Sequence, residues 1–159
     1  MTAAPRVVAP VYIAATAAYS LDRVTKVWAE NVLARRAPIV VIRGVLDLDY
    51  TTNSGGAFGL GQSAPWLFAA ASIGVSIAIV VASLRVDRRW TAVALGLVLG
   101  GALGNLTDRL VRAGDGFLTG RVIDFIDLHV WPVFNLADSA VVIGAVVLAL
   151  SVRYEPRGG

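Results

Sequence analysis

The sequence predicts an integral membrane protein that is mainly α-helical, with four transmembrane helices and a small extracytoplasmic β-cradle between the first two. Apolar residues make up 57% of its 159 residues and charged residues only 16%, whereas soluble domains carry about 25% charged residues. Four apolar stretches approach the roughly 20 residues that a spanning helix needs. We expect one polytopic domain over residues 1–159, with spans at about 7–28, 64–84, 90–110 and 133–152 and extracytoplasmic segments at about 29–63 and 111–132.

The first apolar stretch, Val7–Leu21, is the shortest, and it must continue through Asp22 and Lys26 to cross a membrane. A cleavable signal peptide is an alternative, because Arg6 precedes an apolar run with small residues. Asp22 and Lys26 stand four residues apart and so continue the helical pattern. Together with the three further spans, this spacing favours a retained helix.

The orientation in the membrane is predicted from a short basic loop between the second and third spans, Arg85–Arg89. Short basic loops stay cytoplasmic, which places both termini on the cytoplasmic side. Other basic residues lie towards the opposite face and do not follow this rule: Arg23, Lys26, Arg35, Arg36, Arg43, Arg109, Arg112 and Arg121.

The first extracytoplasmic segment contains a predicted β-hairpin. Ile39–Ile42 and Val45–Thr52 flank Arg43-Gly44, and the residues from Leu46 to Tyr50 alternate between apolar and polar. Such alternation is typical of a half-buried strand. The second segment, residues 113–132, contains three glycines and is expected to be a turn-rich connection.

Two residue patterns fit the predicted spans. Gly96, Gly100 and Gly104 recur every four residues, which predicts a close helix–helix contact. The tryptophans fall near span ends, where an indole lies at the level of the lipid headgroups: Trp28, Trp66, Trp90 and Trp131.

Polar side chains interrupt the apolar stretches where lipid is expected. Asn105, Asp108 and Arg109 end the third stretch, and Asn135 and Asp138 open the fourth. An ionisable side chain at the bilayer centre costs about 2.5–3.5 kcal/mol on insertion scales, so such residues usually have a function. The alternative is a hydrogen-bonded network that sets helix register, with Arg109 neutralising Asp108.

Asp124 and Asp138 are each flanked by apolar residues. Two carboxyl groups brought close together share a proton, and such a pair can act as general base and general acid in an aspartic protease. A structural or ion-conducting role remains an alternative, and Asp127 competes with Asp124 for membership of the pair.

Other catalytic chemistries have less support. The chain has no cysteine and a single histidine, His129, so thiol chemistry is excluded and we expect neither a metal nor another cofactor. A Ser/Lys hydrolase would use Lys26 with Ser54 or Ser139. However, Asp22 is a simpler partner for Lys26.

Five ordered blocks resemble one family, the bacterial lipoprotein signal peptidases (signal peptidase II). They are DRVTK at residues 22–26, NSGGAF at 53–58, GGALGNLTDR at 100–109, VIDFID at 122–127 and FNLADS at 134–139. The sequence departs from the family pattern at Gly56, where alanine is more usual.

The resemblance implies an aspartic endopeptidase of the bacterial inner membrane that cuts prolipoproteins on the amino side of a diacylglyceryl-modified cysteine. It implies Asp124 and Asp138 as the catalytic dyad. By the same resemblance, Asn53, Asn105, Arg109 and Asn135 position the substrate, and Asp22, Lys26 and Asp108 have structural roles.

The expected partners are prolipoproteins and membrane lipid, with no nucleic acid, and we expect a monomer whose active site faces the extracytoplasmic side. The alternatives are a small ion- or proton-carrying membrane protein and a structural membrane protein.

Overall fold

Four helices and three strands form the part of this computed structural model that is described, residues 7–55, 64–112, 114 and 116–153. The helices are α1 (Val8–Val32), α2 (Trp66–Ser83), α3 (Arg89–Val111) and α4 (Leu136–Arg153), and the strands are β1 (Ile39–Ile42), β2 (Leu46–Asn53) and β3 (Val122–Asp127). Each predicted span is therefore largely helical. Gly56 and both chain termini lie outside the described residues.

The fourth helix begins at Leu136, later than the predicted start of the span at residue 133. The residues before it are used by the sheet, because Phe134 and Ile126 exchange backbone hydrogen bonds of 3.1 and 2.9 Å. The helix begins later than the apolar stretch because an apolar run does not distinguish a bridge residue from the first turn of a helix.

Two helices of the described residues, α2 and α3, are long and apolar enough to cross a membrane. The apolar part of α4, Leu136–Ser151, is shorter. Helix α1 is 25 residues long but carries Asp22, Arg23, Lys26 and Glu30 in its second half.

Helix α3 is the central helix and packs against α1, α2 and α4. The glycines on α3 allow this close contact, as predicted. A Cβ at Gly96 or Gly100 would collide with backbone carbonyls of α1, and one at Gly101 would collide with the carbonyl of Ala137 on α4. Gly104 leaves room for the Asp22 carboxylate, which would lie 2.5 Å from a Cβ there.

The predicted hairpin is confirmed. Strands β1 and β2 pair antiparallel around a turn in which Gly44 has a φ of 74°, a conformation that glycine adopts without strain.

The second segment is not only a turn-rich connection, because residues 122–127 form β3 and pair antiparallel with β2. The sheet order is β1-β2-β3, with Thr51 opposite Asp124 and Asn53 opposite Val122. The strand was missed because its partner lies some 70 residues earlier in the chain. The sequence next to β3 therefore lacks the short turn that would predict a hairpin.

The sheet packs against the C-terminal end of α1. Ile123 and Phe125 of β3 are buried with Ala29 and Leu33 of α1 in one apolar cluster. Successive side chains of a strand point to opposite faces, so Asp124, between Ile123 and Phe125, points away from α1. It faces the ends of α3 and α4.

Candidate active site

Asp124 of β3 and Asp138 in the first turn of α4 meet around one buried side chain, Asn135. The amide nitrogen of Asn135 donates a 2.6 Å hydrogen bond to Asp124 Oδ1. Its backbone N–H donates to Asp138 Oδ2 at 3.2 Å. The structure thus brings together the two aspartates that the sequence suggested as a pair.

The position of Asp138 follows from the way α4 begins. Asn135 Oδ1 accepts the backbone N–H of Asp138 at 2.9 Å, while the Asp138 carboxylate accepts the backbone N–H of Asn135. This reciprocal pattern is a capping box, which satisfies two N–H groups that a helix start leaves without partners. The cap therefore orients the Asp138 carboxylate as part of forming the helix.

Two further asparagines each donate to one of the aspartates. Asn53 Nδ2, at the end of β2, donates to Asp124 Oδ2 at 3.2 Å. Asn105 Nδ2, on α3, donates to Asp138 Oδ1 at 2.8 Å. Both carboxylates are consequently held on both oxygens by amide or backbone N–H groups.

The Asp124 side chain titrates far from its ordinary range. Burial, and to a lesser extent the nearby charge of Asp138, raise its pKa to about 7, although the hydrogen bonds from Asn135 and Asn53 lower it. Asp124 is 3% exposed, so desolvation of the charged form is the dominant cause. At neutral pH this carboxyl is therefore partly protonated.

The predicted pairing of Arg109 with Asp108 is wrong, because the Arg109 side chain contacts other groups. The Arg109 guanidinium donates to the carbonyls of Ser54 at 3.3 Å and Gly55 at 2.7 Å, and lies 5.3 Å from the centre of the Phe68 ring. Neighbouring residues on a helix point about 100° apart, which separates Arg109 from Asp108. Arg109 thereby holds the chain that follows Asn53.

Asp108 belongs to a second buried cluster with Asp22 and Lys26. Lys26 Nζ lies 2.9 Å from Asp22 Oδ2 and 3.0 Å from Asp108 Oδ2, and it donates to Asn105 Oδ1 at 2.8 Å. All three charged side chains are fully buried. Lys26 Nζ contacts two carboxylates and an amide oxygen, which speaks against a Ser/Lys pair.

Sequence reasoning missed two other partners of Asp108. Arg23 lies 2.5 Å from Asp108 Oδ1, and Arg112 Nε lies 3.0 Å from the same atom. Arg112 also contacts Glu30 of α1 at 2.6 Å. The four-residue spacing of Asp108 and Arg112 on one helix was the signal that could have revealed this pair.

Asp127, the competing aspartate, lies at the far end of β3. Its Oδ1 accepts the backbone N–H of His129 at 2.7 Å, so it shapes a turn. His129 itself contacts Asp47 at 3.1 Å, on β2. The Asp127 carboxylate thus contacts the turn at His129 and not Asp138.

A cavity of about 470 Å³ opens beside the two aspartates, between α2, α3 and α4. Its lining is mostly apolar. Its polar groups include both aspartates, the two asparagines that donate to them, Asn53 and Asn105, and Arg109, which contacts the loop after β2. A mainly apolar cavity with a few convergent polar groups is typical of a ligand site.

Comparison with known proteins decides the family. The sequence profile described as "Signal peptidase (SPase) II" matches residues 14–154. This chain belongs to the signal peptidase II family. The family consists of aspartic peptidases that cleave signal peptides from prolipoproteins, so the chain is a hydrolase of the bacterial membrane.

Individual relatives agree with this membership. A lipoprotein signal peptidase of Rhodococcus jostii is 38% identical over 149 residues, which cover 92% of this chain and 75% of that protein. One of Syntrophomonas wolfei is 44% identical over 138 residues, covering 86% of this chain and 88% of the relative.

Solved structures show the same fold. One described as a bacterial membrane enzyme, at 2.3 Å resolution, aligns over 100% of this chain and 99% of its own with a TM-score of 0.83 and 25% identity. A second, at 1.9 Å, aligns over 98% of this chain and 100% of its own with a TM-score of 0.79 and 26% identity.

Proposed function

We propose that this signal peptidase II cleaves diacylglyceryl-modified prolipoproteins on the amino side of the lipidated cysteine, with Asp124 and Asp138 as its catalytic dyad. The observation that carries the proposal is the pair of carboxylates that share Asn135 as a hydrogen-bond donor in the lining of one cavity. No cofactor is needed for this chemistry.

In this mechanism Asp138 is the general base. It accepts two N–H groups and stands at the N-terminus of α4, where the helix dipole favours a negative charge. Asp138 takes a proton from water as the water oxygen attacks the scissile carbonyl carbon.

Asp124 is the general acid. Burial and the charge of Asp138 raise its pKa to about 7, so a substantial fraction of the molecules hold a proton on Asp124 at neutral pH, and in these molecules Asp124 donates that proton to the carbonyl oxygen. In the second step Asp138 gives the proton that it took from water to the peptide nitrogen, Asp124 takes a proton back from one hydroxyl of the tetrahedral intermediate, and the C–N bond breaks. The signal peptide is released as a carboxylic acid, and both aspartates return to their starting protonation states.

The remaining polar residues hold the substrate backbone and the dyad. Asn53, Asn105 and Asn135 each donate to a dyad carboxylate. Arg109 secures the Ser54–Gly55 backbone at the cavity edge. In this arrangement the backbone before the scissile bond lies in the cavity, while the diacylglyceryl chains remain among the lipid acyl chains.

We further propose that residues 1–159 act as one monomeric polytopic domain with four spans, cytoplasmic termini and the dyad towards the extracytoplasmic face. Support comes from the exposed tryptophans. Trp28 and Trp66 lie near the ends of α1 and α2 on the side of the dyad, Trp131 lies in the connection between β3 and α4, and Trp90 lies at the opposite end of α3. Indoles favour the two membrane interfaces, so their placement outlines both surfaces of the bilayer.

The test is cleavage of a matched pair of precursors by purified protein in a bilayer. One precursor carries diacylglycerol on its cysteine and the other is the same polypeptide without lipid, and product masses identify the scissile bond. We expect cleavage directly before the lipidated cysteine and none in the unlipidated precursor. Equal cleavage of both precursors would overturn the proposed specificity for lipid.

A further inference from the structure

Behind the proposed dyad, Lys26 of α1 lies between Asp22 of α1 and Asp108 of α3, with all three side chains fully buried. Burying charges is expensive, and an ion pair of this kind is weak evidence for added stability. The hydrogen bonds that this cluster makes to other residues indicate a more specific role.

Each of the two carboxylates holds the backbone directly before one dyad residue. Asp108 Oδ2 accepts the N–H of Ile123 at 3.3 Å, one residue before Asp124. Asp22 Oδ1 accepts the N–H of Ala137 at 3.1 Å, one residue before Asp138. Lys26 joins the carboxylates and thereby links the strand and the helix that carry the dyad.

Lys26 also determines which way the Asn105 amide faces. The Asn105 oxygen accepts from Lys26 Nζ at 2.8 Å and from Asn135 Nδ2 at 3.2 Å, while its nitrogen donates to Asp138 at 2.8 Å. A flipped amide would place its NH₂ group against the ammonium of Lys26 and its oxygen against the carboxylate of Asp138. The cation consequently favours the orientation that donates to Asp138.

We propose that Lys26 is a positioning residue for catalysis, which holds the Asn105 amide towards Asp138 and sets the spacing of the two dyad segments. This inference rests on the proposed function, because it presupposes that Asp124 and Asp138 catalyse. Lys26 acts through Asn105, Asp22 and Asp108 and does not touch the substrate.

The charges around Lys26 allow a variant that removes its positioning role but keeps the charge balance. Asp108 has two other cationic partners, Arg23 and Arg112, whereas within the described residues Asp22 forms its ion pair with Lys26. Combining Lys26→Met with Asp22→Asn therefore leaves Asp108 as the remaining charge of this cluster, still paired with Arg23 and Arg112. An asparagine at 22 still offers an oxygen to the Ala137 N–H.

We expect this double variant to melt within a few degrees of the wild type and to keep its KM, while kcat falls about 100-fold, the loss typical of a misplaced catalytic group.

A conservative variant separates positioning from charge balance. Lys26→Gln in the same Asp22→Asn background keeps a donor for the Asn105 oxygen, and we expect its kcat to exceed that of the methionine variant about tenfold. Equal kcat values for the glutamine and methionine variants, or a methionine variant with the wild-type kcat, would overturn the inference. Failure of the glutamine variant to fold would also overturn it, because Lys26 would then be needed for the fold itself.

The wild type and the single variants Asp124→Asn and Asp138→Asn are measured alongside. If either single variant cleaves as fast as the wild type, the proposed dyad is wrong. If both are inactive while the Lys26 variants keep wild-type kcat, the dyad stands and only the role of Lys26 is wrong.

Discussion

At the scale of single residues, Asp124 combines a cost in stability with a use in catalysis. Its carboxyl is almost fully buried, and burial together with the charge of Asp138 raises its pKa to about 7. An aspartate in an unfolded chain has a pKa of about 3.9. Between these two pH values the folded protein holds a proton that the unfolded chain has lost.

The free energy of unfolding should therefore fall as the pH rises from about 4 to about 7, because the folded state binds more protons there. Asp124→Asn removes this contribution, and we expect the melting temperature of the variant to fall less than that of the wild type between about pH 4 and about pH 8. Thermal melting at several pH values measures the effect. Asp127→Asn is the control that should keep the wild-type slope, and parallel slopes for all three proteins would contradict the prediction.

At the scale of elements, the close approach of α3 to its neighbours brings the polar residues together. Gly100 allows α3 to contact α1, and Gly101 allows it to contact α4 at Ala137, next to Asp138. The turns of α3 that contact the backbones of α1 and α4 are therefore close to the turn that carries Asn105, which contacts the dyad. Packing and site geometry are thus coupled.

Gly100→Ala should lower the melting temperature by about 5 °C or more, because the added Cβ would meet the Ala15 carbonyl and lie 2.8 Å from Ala18 Cβ. Gly74→Ala on α2 is the matched control, since a Cβ there meets nothing within 4 Å. Alanine has the higher helix propensity, so the control should be neutral or slightly more stable. Equal melting of the two variants would show that α3 does not need this glycine.

Local patterns predicted the helices and the hairpin, because apolar length and period-two alternation are properties of continuous segments. They could not predict β3, whose partner strand is remote, or the hydrogen bond from Ala137 to Asp22, which joins residues 115 positions apart. The predicted pairing of Arg109 with Asp108 was wrong because the side chains of adjacent helical residues point in different directions. The convergence of Asp124 and Asp138 was suggested by their apolar surroundings, and the family resemblance named them as a pair.

At the scale of the whole molecule, the proposed orientation places the hairpin and the basic loop between α2 and α3 on opposite sides of the membrane. Gly44 marks the hairpin turn, and Asp87 lies in that loop. The sequence contains no cysteine, so a single introduced thiol reports its own side of the membrane.

Arg43→Cys should react with a membrane-impermeant maleimide in intact cells, whereas Asp87→Cys should react only after the membrane is opened. Both residues are exposed, so burial does not limit labelling. Labelling is read by the mass shift of the purified protein. Labelling of Asp87→Cys in intact cells would reverse the proposed orientation.

The most direct test of the central claim compares cleavage rates of the wild type, Asp124→Asn, Asp138→Asn and Asp127→Asn on one lipidated precursor. Loss of a general acid or base costs about 100- to 10,000-fold. We predict losses in that range for Asp124→Asn and Asp138→Asn and a rate close to wild type for Asp127→Asn, with folding checked by thermal melting. A folded Asp124→Asn or Asp138→Asn variant that cleaves at the wild-type rate would contradict the assignment of the dyad.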